Sequence, residues 1–76
     1  MSYRFTVVIA PDEGGFHAFV PALPGCHSFG ATIEEARANI AEAVGLHVES
    51  LREDGEPVPI EPEPFFVTQL SVPPAA

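Results

Sequence analysis

The sequence predicts an α+β domain with the element order β-β-β-α-β, in which a three-stranded antiparallel meander precedes one helix and a final strand lies parallel to the first. Three observations predict this fold. Short apolar runs near the N-terminus are separated by Pro and Gly. A long run from residue 33 has apolar residues at three- and four-residue spacing. A last apolar run follows a proline-rich stretch. One helix packed on one face of a mixed sheet is α+β.

The first two strands are predicted to form a hairpin. Apolar and polar residues alternate over Tyr3–Ala10, as in a strand with one apolar face. Pro11–Gly15 is a turn cluster, because Pro fixes φ and Gly permits positive φ. The chain returns as a second strand over Phe16–Val20. A short third strand is expected over Cys26–Phe29, between two glycines.

A helix is predicted from Ile33 to Asp54. Thr32 is the expected N-cap, and Glu35 completes a capping box. Gly30 is expected to hold the backbone before the helix and to need positive φ more than Gly25 does. Gly55 suits the position after the helix end. The apolar stripe that should face the sheet comprises Ile33, Ala36, Ile40, Val44, Val48 and Leu51.

The C-terminal part is predicted to return to the sheet. Residues 56–64 are rich in proline and should be extended. The apolar residues 65–70 form the expected final strand, which would lie beside the first strand through a right-handed crossover. Residues 1–70 are therefore expected to form a single domain, with 71–76 as a disordered tail. The second sheet face would keep uncovered apolar residues, among them some of Val8, Phe19 or Phe66.

Size and charge both indicate a partner. A chain of 76 residues buries only about 60% of its unfolded surface, which makes self-association into a dimer or larger oligomer reasonable. The chain has eleven acidic residues and only three basic ones, which gives a net charge of −8. Such a surface repels phosphate backbones and attracts basic proteins. Nucleic-acid binding by the chain itself is therefore not expected.

Several features predict a cytoplasmic protein without membrane segments. The start of the chain leads directly into a strand pattern and lacks a signal peptide. The longest apolar run, residues 5–10, is far shorter than the about 20 residues that a membrane span needs. The single cysteine, Cys26, cannot form an internal disulfide.

The residue patterns for metal binding and catalysis are weak, and neither a cofactor nor enzymatic activity is expected. His17, His27 and His47 have no metal-ligand spacing. The segment around Ser28 resembles part of a nucleophile elbow, but its first glycine is missing and the chain is too short for a hydrolase sheet. Ser28 is expected to hydrogen-bond locally, and Cys26 to be a small buried apolar side chain.

The segment Phe19–Ala43 carries a family resemblance. It contains the string P-x-L-P-G-C-x-S-x-G-x-T-x-E-E-A. With this string, the chain resembles the HicB family of antitoxins from about residue 3 to residue 64. The resemblance implies a partial RNase H-like fold without that enzyme's catalytic acids, and a HicA-type toxin as partner: a small basic protein that cleaves mRNA. The family-motif residues, to which we assign a structural role, are Pro21, Leu23, Pro24, Gly25, Cys26, Ser28, Gly30, Thr32, Glu35, Ala36 and Asn39.

The sequence offers two candidate regions for the surface that binds the partner. Glu42, Glu49 and Glu53 lie on the polar helix face, whereas His27 and Phe29 lie in the third strand. Many HicB antitoxins carry a DNA-binding domain after this one, and none is expected within this sequence. The alternative to a toxin-binding role is a stand-alone homo-oligomer with a regulatory or ligand-binding role.

Overall fold

The computed structural model describes residues 3–61 and 66–74. Three antiparallel strands, β1 (Val8–Asp12), β2 (Gly15–Phe19) and β3 (His27–Gly30), form a sheet in the order β1-β2-β3. One helix, α1 (Ile33–Glu53), packs across one face of the sheet, mainly on β3. The α+β class, the antiparallel meander and the single helix that the sequence predicts are thus confirmed.

The hairpin between β1 and β2 is tighter than predicted. Asp12 pairs with Gly15, so the loop consists of Glu13 and Gly14 alone. Their φ angles are 40° and 82°, and two-residue hairpin loops with positive φ at both positions match the twist of the strands. Pro11 therefore belongs to β1 and not to the turn. It is tolerated there because β1 is an edge strand of the described sheet, where a missing N–H breaks no ladder bond.

The strand boundaries differ from the predicted ones by a few residues. The first strand begins at Val8, five residues later than the alternation at Tyr3 predicts. The second strand begins and ends one residue earlier than predicted, and the third begins and ends one residue later, at His27 and Gly30. Alternation marks which side chains share a face, whereas a strand also needs a hydrogen-bonded neighbour.

The predicted final strand is not shown. Residues 66–70 lie in no strand and are exposed, and Phe65 lies outside the described residues. A strand parallel to the first and an RNase H-like arrangement are therefore not shown either. The carboxylate of Glu61 does accept two hydrogen bonds from Thr6, at 2.7 Å from the backbone nitrogen and 3.0 Å from Oγ1. This contact brings the proline-rich segment beside the chain that leads into β1.

The core lies between the sheet and the helix. Its buried residues come from β2, from the loop that follows β2 and from the first half of α1: Ala18, Val20, Leu23, Cys26, Ala36 and Ile40. Val44, Val48 and Leu51 continue the predicted stripe and are partly buried against this cluster. Ile33 departs from the prediction, since 51% of it is exposed. Ile33 is the first helical residue and lies one turn before Ala36. The helix first meets the sheet at Ala36.

Candidate functional site

The motif segment begins with two successive turns between β2 and β3. Leu23 N donates to Val20 O at 3.0 Å, and Cys26 N donates to Leu23 O at 3.0 Å. Each turn has Pro at its second position, where φ is already near the required value. Val20 N donates to Cys26 O at 3.1 Å and closes the loop. The two turns hold Leu23 in the core, where only 1% of it is exposed.

The two motif glycines act differently from the prediction. Gly25 has a φ of +83°, which the third position of its turn requires, whereas Gly30 is not among the positive-φ glycines. Gly30 is instead needed for space. A Cβ atom at Gly30 would lie 2.7 Å from the Cα of Ala36 and 2.8 Å from the carbonyl carbon of Glu35. The absence of a side chain allows the start of α1 to lie directly on β3.

The start and the end of α1 are both capped. The backbone N–H of Glu35 donates to Thr32 Oγ1 at 3.1 Å, which confirms Thr32 as the N-cap. Glu35 Oε1 accepts a 3.2 Å bond from the N–H of Ala31, one residue before the expected partner in a capping box. At the other end, Gly55 has a φ of +69° and ends the helix as predicted.

The motif also ties α1 to the open edge of β3. Asn39 Nδ2 donates a 2.7 Å hydrogen bond to the carbonyl oxygen of Phe29. In an antiparallel ladder, hydrogen-bonded residue pairs alternate with pairs that are not hydrogen-bonded to each other. Val20–Cys26 is a hydrogen-bonded pair, so the pair His17–Phe29, three positions further along the ladder, is not hydrogen-bonded. The carbonyl oxygen of Phe29 therefore points away from β2, to the open edge. Asn39 thus satisfies an edge carbonyl from within the same chain.

The structure separates the candidate partner-binding residues into two groups. Glu42, Glu49 and Glu53 lie on the surface of α1 that faces away from the sheet. His27 and Phe29 lie on the sheet face that α1 does not cover, because the residues between and beside them, Ser28 and Gly30, point to the helix. The domain has two layers, so these two surfaces lie on opposite sides of it.

The outer surface of α1 carries a mixed stripe. Glu42, Glu49 and Glu53 are exposed and follow one another at seven and four residues, which places them on one side of the helix. Leu46 lies between them, and 62% of it is exposed. Beside it, Gly45 contributes to a shallow groove of about 600 Å³ that Glu49, Arg52 and Glu53 also line. An apolar side chain is thus surrounded by carboxylates; we call Glu42, Leu46, Glu49 and Glu53 the helix stripe.

The uncovered sheet face carries a cluster of four rings, which we call the ring face: His17, Phe19, His27 and Phe29. His17 lies opposite Phe29 and Phe19 lies opposite His27 in the β2–β3 register. The ring centroid of His17 lies 5.9 Å from that of Phe19, 5.4 Å from that of His27 and 6.2 Å from that of Phe29. Phe29 is 48% exposed and Phe19 is 37% exposed. The prediction that Phe19 stays uncovered is confirmed, whereas Val8 is half-buried.

A groove continues from the ring face onto the loop after β2. It has a volume of about 560 Å³ and is lined mostly by apolar atoms of His17, Phe19, Pro21, Pro24 and His27. Cys26 also borders it, although only 5% of that residue is exposed, as predicted for a small buried side chain. Burial raises the pKa of the Cys26 thiol, because desolvation disfavours the charged thiolate.

Among the described residues, the structure brings together no cluster of metal-ligating side chains: no three or more His, Cys, Asp or Glu side chains come together as metal ligands. The hydroxyl of Ser28, expected to hydrogen-bond locally, has no such bond within residues 3–61 and 66–74; the residue is half-buried on the helix-facing side of β3. Within residues 3–61 and 66–74, the helix lacks the apolar stretch that a membrane-spanning helix needs.

Sequence reasoning missed two parts of these surfaces. His17 was not grouped with His27 and Phe29, although the two-residue period of β2 places it on the same face as Phe19. Leu46 was not recognised as part of the helix stripe. Its four-residue spacing from Glu42 was the available signal, because it breaks the polar pattern of that face.

Comparison with known proteins places the chain among antitoxin-like sequences. Residues 5–72 match a family model described as the HicB-like antitoxin of bacterial toxin–antitoxin systems. A UPF0150 protein of Synechocystis is 48% identical over 71 residues, covering 92% of this chain and 87% of the relative. A UPF0150 protein of Thermoplasma acidophilum is 46% identical over 57 residues, covering 74% of this chain and 83% of the relative. A third, from Archaeoglobus fulgidus, is 39% identical over 56 residues, covering 70% and 81%.

Proposed function

We propose that this chain, which belongs to the HicB-like antitoxin family of bacterial toxin–antitoxin systems, binds and neutralises a small basic toxin of the HicA type that cleaves mRNA. The family supplies the expectation of a toxin partner. The charge of −8 supplies the complementarity to a basic protein. Since mRNA is the target of such a toxin, the proposed place of action is the cytoplasm.

The observation that carries this proposal is the helix stripe. An interface between proteins usually has an apolar centre within a polar rim. Leu46 is exposed and would form such a centre, with Glu42, Glu49 and Glu53 as the rim. A basic toxin that places an apolar side chain near Leu46 would gain both contacts. The carboxylates would also steer its approach, and salt would weaken that steering.

In this proposal the chain acts by occlusion and not by chemistry. It neither cleaves RNA nor binds nucleic acid by itself, since each neutralised phosphate needs a Lys or Arg and the chain has three arginines. A gel-shift and cleavage assay with its own upstream DNA and a mixed RNA pool tests this, with and without Mg²⁺. A shift at moderate salt, or metal-dependent cleavage that survives further purification, would contradict it.

The experiment that tests toxin binding is co-expression with a HicA-type toxin, taken first from the reading frame adjacent to the gene. We expect growth to be restored and a complex to co-purify at low salt. Association should slow as salt rises, because the Debye length falls from about 10 Å at 0.1 M to about 3 Å at 1 M. Toxicity that persists despite equal expression of this chain would contradict the proposal.

A second candidate function is that of a stand-alone homo-oligomer with a regulatory or ligand-binding role. The ring face favours self-association, since Phe19 and Phe29 are both exposed, diagonally across β2 and β3, on the sheet face that α1 does not cover. We propose that the chain forms a dimer or larger oligomer through this face in either case. Light scattering at micromolar concentration should detect it, and a monomer with a cooperative thermal transition would contradict it.

A further inference from the structure

We propose that the exposed apolar segment 66–74 of one copy packs on the ring face of a second copy, so that the oligomer is held together by exchanged C-terminal segments. This inference rests on the self-association proposed above and names the two surfaces that meet. One surface is the ring face with its adjoining groove. The other, which we call the tail, is Phe66–Pro74.

In the part of the chain that the structure describes, the tail is uncharged, mostly apolar and largely exposed. Its large apolar residues are between 73% and 89% exposed, and they comprise Phe66, Val67, Leu70 and Val72. Residues 66–74 lie in no helix or strand. Several exposed apolar side chains this close together in the sequence mark an interaction site, because water contact with them is unfavourable.

The ring face offers a surface of matching character. His17, Phe19, His27 and Phe29 present ring faces and edges, and the adjoining groove of about 560 Å³ is lined by Pro21 and Pro24 as well. The proline-containing sequence Val72-Pro73-Pro74 suits such a surface, because proline-containing chains dock into grooves lined by aromatic rings at a small entropic cost.

The charge distribution favours these two surfaces for a contact between copies of this chain. The molecule carries a net charge of −8, so two copies repel each other wherever their acidic surfaces meet. The tail has no charged residue from Phe66 to Pro74. The three described strands contain one acidic residue, Asp12, and it lies at the hairpin end, away from the rings. These two surfaces can therefore meet without bringing carboxylates together.

The shape of the molecule favours exchange between copies over packing within one copy. The Cα radius of gyration is 15.2 Å, whereas a compact domain of this length has about 11 Å. The largest extent of the molecule is 54 Å. The chain thus extends well beyond its packed core, and the tail remains exposed while the ring face of the same copy is uncovered. A symmetric dimer would satisfy both surfaces twice.

Cross-linking between copies tests the exchange directly. In a Cys26→Ala background, one preparation carries His27→Cys and an affinity tag, and the other carries Ser71→Cys. Both substitutions leave the phenylalanines and the apolar tail residues in place. After mixing and treatment with a short bismaleimide, we expect a covalent product of one tagged and one untagged chain. Ser50→Cys, exposed on α1, replaces Ser71→Cys as the control and should give little product.

Either of two results would overturn the inference. The first is that the control gives as much tagged–untagged product as Ser71→Cys. The second is that a chain carrying both cysteines, diluted in an excess of the cysteine-free chain, cross-links only within itself, which would place the tail on its own copy.

Substitution in the tail gives an independent readout. Leu70→Ser and Phe29→Ser should each raise the dimer dissociation constant by about tenfold or more, because each removes a large apolar side chain from the interface. Ile60→Ser, at a site that is 77% exposed and outside the tail, should leave it unchanged. If Phe29→Ser weakens the dimer and Leu70→Ser does not, the tail exchange is wrong while self-association through the ring face stands. Toxin binding is measured separately and does not depend on this result.

Discussion

Asn39 and Phe29 connect the helix to the edge of the sheet through one hydrogen bond. The side-chain amide nitrogen of Asn39 lies 2.7 Å from the carbonyl oxygen of Phe29. Asn39 is on the side of α1 near the sheet, whereas the ring of Phe29 points to the opposite sheet face. The bond therefore fixes the strand that carries half of the ring face, and it also occupies a carbonyl that could otherwise pair with another chain.

Substitution of Asn39 should lower stability in a way that depends on charge. Asn39→Ala loses the bond to Phe29 and should lower the free energy of unfolding by about 1 kcal/mol, less a small gain in helix propensity. Asn39→Asp should cost more, because a carboxylate would face the carbonyl oxygen. Urea unfolding of both variants checks this. Equal stability of Asn39→Asp and the parent would contradict a structural role for the bond.

Two glycine-to-alanine substitutions should act in opposite directions. Gly30→Ala should destabilise the fold by about 1–3 kcal/mol, since its Cβ would overlap the backbone at Ala36 and force the helix away from β3. Gly45→Ala has free space around it within α1 and should stabilise by up to about 1 kcal/mol. Thermal unfolding of the pair provides a matched comparison. A gain in stability from Gly30→Ala would show that the close approach is not needed.

The start of α1 gives a third prediction. Thr32→Ala removes the acceptor for the N–H of Glu35 and should cost about 1 kcal/mol. Thr32→Ser keeps a hydroxyl oxygen and serves as the control, with a stability close to that of the parent. Urea denaturation compares the three proteins. If the alanine and serine variants unfold at the same urea concentration, the cap does not contribute to stability.

The buried thiol of Cys26 predicts a pH dependence. Burial raises its pKa in the folded state above the ordinary value of 9.0. As pH rises through about 9, the unfolded chain loses this proton while the folded chain keeps it, so the free energy of unfolding should fall. The Cys26→Ala variant lacks this contribution and should show a smaller decrease between pH 8 and 10. Identical pH profiles for the two proteins would contradict the assignment.

Much of the fold follows from local sequence signals. Thr32, Gly55 and the apolar stripe after Ile33 predict α1 to within one residue, because caps and periodicity act over a single turn. The role of Gly30 could not be predicted in the same way. Its close contact with Ala36 depends on where the helix crosses the sheet, and a lone glycine before a helix equally suggests positive φ.

The same limit applies to the candidate surfaces. Residues such as Glu42 and Glu49 could be assigned to the outer side of α1 from their spacing alone. His27 and Phe29 lie on the opposite side of the domain from these acids. This could not be predicted from the sequence, because it depends on the strand register and on which sheet face the helix covers. The tail shows the reverse case: apolar residues 65–70 predict a strand, but the structure shows no strand over the described residues 66–70.

The central claim, that the helix stripe receives a basic toxin, is tested most directly by two charge reversals of equal size. One variant carries Lys at Glu42, Glu49 and Glu53; the other carries Lys at Asp12, Glu13 and Glu56, away from the stripe. Both change the net charge of −8 by the same amount, so a difference between them reports on location. The measurement is the association rate and affinity for a HicA-type toxin at low and at moderate salt.

We expect the stripe variant to lose most of its affinity and its salt dependence, whereas the control variant keeps an affinity close to that of the parent. Leu46→Ser, which changes no charge, should also weaken binding by raising the dissociation rate. Equal affinities of the stripe and control variants, or an unchanged association rate for the stripe variant, would contradict the account and move the toxin contact away from the helix.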